Sequence, residues 1–447
     1  MDLEKFFNPK SVSIIGASRE KNKIGHIILK NFVDGFHGKI YPINPKADTI
    51  LGLKCYKSVL DVRGKIDLAV VCVPAKIVPT VLEDCGRKGI KDIIIITAGF
   101  KEVGNFELEK EIEKIIKKYK LRVIGPNCIG IYDPKSGVDT IFNPKSRLGR
   151  PESGSIGFIS QSGATMSIVL DWMSLKGYKI SKAISYGNAI DIDESDLMKY
   201  LSHNKDTKTI CMYIEGVKNG GKFLNVAKRI KKPIVVLKGG KTKTGASSAK
   251  THTGSMAGNA KIFSGALKQA NVIEVEDLEE MFDLARILSK QPLPKGNRVQ
   301  IITDGGGFGV LASDWADKLG LKIAKMSEAN IEKLRKVIPK YAVTKNIIDL
   351  TGDVTSDMYE LSVKLAVEDK NVDMIALILL FQPPMIKEDV VDKILRIKSK
   401  KPIAIISAGG KFTEKFKKRF EENGIPCFTS PMRGIKALKI LYDFSQL

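Results

Sequence analysis

Two stretches decide the fold: Ile156-Gly-Phe-Ile-Ser-Gln-Ser-Gly163 and Val299-Gln-Ile-Ile-Thr-Asp-Gly-Gly306. Each is a short apolar run, then a small polar turn, then a glycine opening a helical pattern. A run this short, bounded by turn residues, reads as a strand. The two following helices each carry Asp-Trp, at Asp171-Trp172 and Asp314-Trp315, which hold both tryptophans of the chain. They end in Lys176-Gly-Tyr-Lys-Ile180 and Leu319-Gly-Leu-Lys-Ile323. Further on, Asn188-Ala-Ile-Asp191 echoes Asn346-Ile-Ile-Asp349. Such matched spacing reads as a diverged internal repeat of one strand–helix unit.

Working outward, strands alternate with helices along the whole chain. In the N-terminal part, Ser11-Val-Ser-Ile-Ile-Gly16 runs from strand into turn, and further strands are expected at 39–43, 67–73, 92–97 and 122–124, with a helix over 106–119. The first repeat adds strands at 156–160, 179–185, 209–214 and 233–238. After the Pro/Gly-rich linker Gln291-Pro-Leu-Pro-Lys-Gly-Asn297, the second adds 298–304, 374–380 and 403–407. Alternation of this kind predicts doubly wound parallel sheets. At ~150 residues per domain, the 447 residues divide into three: 1–145, 146–290 and 297–447.

Composition narrows the class. Hydrophobic residues are 43% and charged residues 28%, an ordinary globular balance. Apolar runs are strand-length, well short of the roughly 20 residues a membrane span needs. The opening Met-Asp-Leu-Glu-Lys lacks the basic-then-apolar pattern of a secretion signal. Cysteines 55, 72, 85, 128, 211 and 427 are scattered without a C-x-x-C pair, which fits reduced thiols in a cytoplasm and no structural zinc. The net charge of +23 draws anions. With no basic tail or aromatic-basic stripe, Lys-rich surface helices account for most of it, and nucleic-acid binding is not expected.

The chemistry concentrates in turns. Gly16-Ala-Ser-Arg-Glu-Lys-Asn-Lys-Ile-Gly25 follows a strand and opens a helix, presenting backbone N–H groups to a phosphate. Its spacing is not G-x-G-x-x-G, so the dinucleotide fingerprint is absent. Where a NAD site wants an acid, the second strand ends Tyr41-Pro-Ile-Asn-Pro-Lys46, and a lysine there suits a ribose phosphate such as that of CoA. Val73-Pro74-Ala75, Thr97-Ala98-Gly99-Phe100 and Gly125-Pro126-Asn127-Cys128 follow successive strands, at the end of a parallel sheet where ligands bind. The repeated turns, at Gln161, Ser162 and Gly163 and at Gly305, Gly306 and Gly307, each open a helix with bare N–H groups. If the two repeats face each other, both dipoles can serve one anion.

The sharpest segment is Gly239-Gly-Lys-Thr-Lys-Thr-Gly-Ala-Ser-Ser-Ala-Lys-Thr-His252-Thr-Gly-Ser-Met-Ala-Gly258. It has almost no large apolar side chains and is rich in glycine, so it reads as a loop free to bend. Its lone histidine is a candidate nucleophile toward phosphorus, since neutral imidazole is available near neutral pH. A phosphorylated imidazole needs an acceptor for its other N–H. Glu215, ending the strand Tyr213-Ile-Glu-Gly216, is the candidate. His26, His37 and His203 read as incidental.

These motifs, together with Phe158-Ile-Ser-Gln-Ser-Gly163, Ser185-Tyr-Gly-Asn188 and Gly125-Pro-Asn-Cys-Ile-Gly130, resemble in order the α subunit of ADP-forming acyl-CoA (acetyl-CoA) synthetases, in the succinyl-CoA synthetase superfamily. The resemblance covers essentially the whole chain. It implies a Rossmann-like CoA-binding domain followed by two flavodoxin-like domains. It implies a CoA site at Gly16, Ser18, Lys23, Lys46, Val73, Pro74, Thr97, Ala98 and Asn127. It also implies a phosphohistidine at His252 with Glu215 as its partner, and phosphate sites at Gln161, Ser162 and Gly163 and at Gly305, Gly306 and Gly307. The implied substrates are coenzyme A, phosphate, ADP/ATP and a small acyl acid. No ATP-grasp domain is recognisable, so nucleotide and Mg2+ are expected mainly on a separate β subunit, in an α2β2 assembly. The readings set against this are a non-catalytic CoA-binding regulatory or scaffold subunit, a NAD-dependent oxidoreductase, which the missing fingerprint disfavours, and, as a minor hypothesis, nucleic-acid binding through the net charge.

Overall fold

A computed structural model describes residues 2–247 and 260–447. The chain forms two compact units, residues 1–278 and 279–447.

The first unit carries two sheets. β1 (Ser11–Ile15), β2 (Lys39–Ile43), β5 (Leu68–Val71), β6 (Asp92–Ile95) and β7 (Arg122–Ile124) are ordered β2-β1-β5-β6-β7 and are all parallel. The small hairpin of β3 (Thr49–Ile50) and β4 (Leu53–Lys54) stands apart. The second sheet is built on β10 (Ser153–Ser160), β11 (Ile180–Ser185), β12 (Thr209–Ile214), β13 (Ile234–Lys238) and β14 (Ile273–Val275), in the order β14-β13-β12-β10-β11. Two antiparallel strands, β8 (Gly130–Asp133) and β9 (Val138–Asp139), extend it beyond β11.

The second unit holds β15 (Arg298–Thr303), β16 (Lys322–Ile323), β17 (Ile348–Asp349), β18 (Met374–Ile378), β19 (Ile403–Ile406) and β20 (Cys427–Phe428), ordered β16-β15-β18-β19-β20 with β17 also on β15. The helix Leu278–Lys290 packs within this unit through Arg286, which pairs with Asp283 and Glu421.

All three sheets therefore share one doubly wound order, in which the first strand lies between the second and the third. Each has its crevice where the chain reverses direction across the sheet, beyond the strand carboxyl ends. Central strands such as Leu68–Val71 and Met374–Ile378 are buried along their whole length, as expected when helices cover both faces of a parallel sheet. The repeat is equally direct. Its helices begin at Gly163 and Gly306, so Trp172 and Trp315 fall at the same offset. Both helices end beside a left-handed glycine, Gly177 or Gly320.

Sequence and structure differ at the short strands. β3, β4, β8, β9, β14, β16, β17 and β20 lie outside the expected set. Several are only two residues long, too short to show a period, and β8 follows directly on a Gly/Pro-rich turn.

Candidate functional site

The first glycine turn is locked by close backbone approach. Gly16 has φ +96°, and a Cβ there would meet the Cys72 carbonyl oxygen at 2.6 Å. A Cβ on Gly25 would lie 1.9 Å from the Gly16 carbonyl oxygen, so only glycine lets the helix Ile24–Gly35 start against this turn. The Asn44 amide donates to the Ala17 carbonyl at 2.7 Å, and Arg19 donates to the Lys46 carbonyl at 3.0 Å. Across the sheet, Thr97 Oγ1 donates to the Val73 carbonyl at 2.7 Å, and the Asn127 N–H donates to the Thr97 carbonyl at 2.9 Å.

The second sheet supplies the facing turn. Ser162 caps the helix Gly163–Lys176, its hydroxyl accepting from the Thr165 N–H at 3.2 Å. Ser160 Oγ donates to the Ser162 carbonyl at 2.7 Å. Gln161 Oε1 accepts from the N–H groups of Glu215 and Gly216 at 2.8 and 3.0 Å. The turn is thereby tied to the end of β12.

A cavity of about 860 Å³ joins these parts. Its wall includes Gly16, Ser18, Lys23, Val73, Pro74, Thr97, Ala98 and Asn127 together with Gln161, Ser162 and Gly163. Of the residues expected at the CoA site, only Lys46 is absent from the lining; it is exposed. Two cysteines also line it. Burial pushes the Cys72 and Cys128 thiols up to about 12, so both stay protonated at neutral pH and neither is a nucleophile there.

Glu215 is buried at the end of β12, outside the lining residues. The Tyr213 hydroxyl donates to Glu215 Oε1 at 3.3 Å, and the Lys238 ammonium donates to the Glu215 carbonyl at 2.7 Å. Burial lowers the Lys238 pKa, and the Glu215 charge works against that shift. His252 lies outside the described residues.

Gly305, Gly306 and Gly307 belong to the second unit, where the helix Gly306–Lys318 opens without a side-chain cap. Asp304 Oδ1 accepts from the Leu380 N–H at 3.1 Å. Thr303 Oγ1 bridges to the Gly305 carbonyl at 3.0 Å.

The cavity also holds residues that the sequence reading gave no role. Asn188 is in its wall, as are Phe142, Asn143 and Ser167. Asn188 lies inside Ser185-Tyr-Gly-Asn188, a motif legible in the sequence, but nothing in sequence spacing points its amide at the first sheet. Phe142 and Asn143 sit between short segments with no periodic signal.

Three family models match the chain: a CoA binding domain over residues 10–134, a succinyl-CoA ligase-like flavodoxin domain over 153–288, and a ligase-CoA domain over 299–442. An ADP-forming acetate–CoA ligase of Methanocaldococcus jannaschii is 44% identical over 99% of this chain, which spans only 63% of that relative's length. The α subunit of ADP-forming acetate–CoA ligase II of Pyrococcus furiosus is 40% identical, with 96% of this chain and 95% of that subunit covered. Among solved structures, a dinucleotide-forming acetyl-coenzyme A synthetase 1 of Ca. Korarchaeum cryptofilum, in complex with phosphate and ADP, superposes with a TM-score of 0.93. It is 36% identical over 100% of this chain and 97% of that one.

Proposed function

The chain belongs to the family of ADP-forming acetate–CoA ligase α subunits, and on that premise we propose that it converts acyl-CoA, phosphate and ADP to free acid, CoA and ATP, acting with a partner subunit. The observation that carries this reading is the cavity whose wall runs from the first glycine turn to the capped helix start at Ser162 and Gly163. In this reading the glycine turn gives bare backbone to a CoA ester, and the helix N-terminus gives N–H donors and a favourable dipole to a phosphate beside it.

In this reading CoA is held by Gly16, Ser18, Lys23, Lys46, Val73, Pro74, Thr97, Ala98 and Asn127. A phosphate oxygen attacks the thioester carbonyl. The C–S bond breaks, the thiolate leaves with CoA, and an acyl phosphate forms beside Gln161, Ser162 and Gly163. The neutral imidazole of His252 then attacks phosphorus, and the bond to the acyl oxygen breaks to release the acid. Glu215 accepts the other imidazole N–H and balances the cationic phosphohistidine. ADP finally takes the phosphoryl group. Excluding water protects both reactive intermediates from hydrolysis.

The same reading places Gly305, Gly306 and Gly307 at a second phosphate position. It puts ADP and Mg2+ mainly on an ATP-grasp β subunit within an α2β2 assembly in the cytoplasm. It keeps the three-domain division 1–145, 146–290 and 297–447, and acetyl is the first acyl group to try. Among the described residues, no helix is long and apolar enough to cross a membrane.

The test is ATP formation from acetyl-CoA, phosphate and ADP with the partner subunit supplied, beside calorimetric titration of the chain with CoA and with NADH. ATP formation and CoA binding are expected. NADH binding in place of CoA, or no ATP from any acyl-CoA, would overturn the proposal.

A further inference from the structure

The two walls of the cavity come from different sheets. The N–H groups of Asn188, Ile190 and Ile192 donate across to the carbonyls of Pro126, Gly125 and Val123 at 2.9, 3.0 and 3.1 Å, and Asp191 Oδ2 accepts from the Val123 N–H at 2.9 Å. A side-chain joint stands beside these bonds. Glu102, just after the 97–100 loop, accepts at Oε1 from the N–H groups of Gly99 and Phe100 at 2.5 and 3.1 Å. Its Oε2 accepts from Asn188 Nδ2 at 2.7 Å. That same Nδ2 reaches Glu109 Oε2 at 3.1 Å, on the helix Phe106–Tyr119. Asn188 Oδ1 accepts from Asn127 Nδ2 at 3.4 Å. Lys101 closes the ring, donating to the Asn188 carbonyl at 2.8 Å and pairing with Glu109 at 3.2 Å. Lys218 donates to the neighbouring Ala189 carbonyl at 2.6 Å.

The backbone leaves this joint little slack. A Cβ on Gly187 would lie 2.2 Å from the Asn127 carbonyl oxygen, and both Asn127 (φ +58°) and Ala189 (φ +53°) are left-handed. Such conformations persist where the surroundings hold them. Burial works against the Glu102 carboxylate. The Asn188 amide and the two backbone N–H groups outweigh it and hold the carboxyl below its ordinary value. Asn188, Asn127, Thr97 and Ala98 all line the cavity, as do Gln161, Ser162 and Gly163.

We infer that Glu102 and Asn188 are positioning residues, a joint that sets the distance between the wall holding the thioester and the turn holding phosphate. The inference rests on the proposed reaction. Neither carboxylate of the joint needs to touch a reacting atom. Glu102 fixes the 97–100 loop and orients the Asn188 amide, and Asn188 fixes Asn127. In a bimolecular step, a misplacement of about 1 Å can cost roughly 100-fold in rate.

The experiment uses the assembled enzyme with Glu102→Gln, Asn188→Ser and the double variant. Glu102→Gln keeps the shape and the acceptor for Gly99 and Phe100, but turns a donor toward Asn188. Each single variant is expected to lower kcat about 10- to 100-fold, with KM for CoA and for phosphate within about threefold of wild type. The double variant is expected to lose no more than the worse single, as residues acting as one unit do. A raised KM with kcat intact, additive losses, or a melting temperature falling in step with kcat overturns the inference. Should Asn188→Ser fail to fold, the isosteric Glu102→Gln decides alone. No turnover in the wild-type enzyme with any acyl-CoA overturns the proposed reaction and this joint with it. Turnover that is insensitive to these changes overturns only the joint.

Discussion

The turns at 160–163 and 303–306 follow one plan and carry different side chains. In both, a hydroxyl on the last strand residue, Ser160 or Thr303, bonds the carbonyl two residues on. In both, the next side chain reaches across to pin the end of the neighbouring strand: Gln161 holds the Glu215 N–H, and Asp304 holds the Leu380 N–H. The strand registers pair Ile159 with Met212 and Ile302 with Leu377, so Glu215 and Leu380 are equivalent positions. A carboxylate thus stands in the first unit where the second has an apolar side chain. Ser162 caps its helix where Gly305 cannot. The lesson is that the two units share the hydrogen-bonded scaffold of this turn, and the differences fall on residues to which the proposed function gives a role.

The strongest way to break this comparison is to make the first turn resemble the second. Glu215→Leu is expected to lower kcat by roughly 100- to 10,000-fold, the range for a lost acid–base or orienting partner, with CoA affinity unchanged by calorimetry. Glu215→Gln should recover part of that loss, since an amide oxygen can still accept the imidazole N–H. Equal activity in Glu215→Leu and wild type would show that the two strand ends are functionally alike.

A second test concerns charge. Burial pushes the Asp304 carboxyl up to about 6, from 3.8. Between those values it is protonated in the folded chain and ionised in the unfolded one. Its contribution to stability is therefore full below about pH 4 and is lost as the pH rises through about 6, on the order of 2–3 kcal/mol. Asp304→Asn keeps an acceptor for the Leu380 N–H and removes the titration. Thermal unfolding at pH 4.5 and 7.5 should show the variant gaining on wild type at the higher pH. Gln161, at the equivalent position, cannot titrate, and Gln161→Glu should bring a dependence of the same sign to the first unit.

The smallest expected effect is on the cap. Ser162→Ala should cost about 1 kcal/mol of stability, readable as a lowered denaturant midpoint. Gly305→Ala has no cap to lose, and its Cβ would meet only the Cδ1 end of the flexible Leu380 side chain, at 2.6 Å, so a smaller change than that of Ser162→Ala is expected.

Much of this was legible in sequence because it rests on local physics. The alternation of apolar runs and helices marks the main strands, and glycines mark the turns where backbone must come close, as at Gly16 and Gly25. The repeat was readable from its paired tryptophans and gave the helix starts at Gly163 and Gly306. What sequence did not reveal is pairing across distance. Glu102 and Asn188 are separated by a whole strand–helix series, so neither residue's neighbours announce the contact. The two-residue strands carry no period at all. Lys46 was read from position alone and stands outside the cavity lining, since a long exposed lysine has no packing to fix its direction.

The most direct measurement is phosphosite mapping by mass spectrometry on the assembled enzyme, incubated with acetyl-CoA and phosphate without ADP, in wild type and His252→Asn. A phosphoryl group on His252, absent from the variant and discharged on adding ADP, is the predicted result. Label on any other residue, or undiminished ATP formation by His252→Asn, would contradict the account.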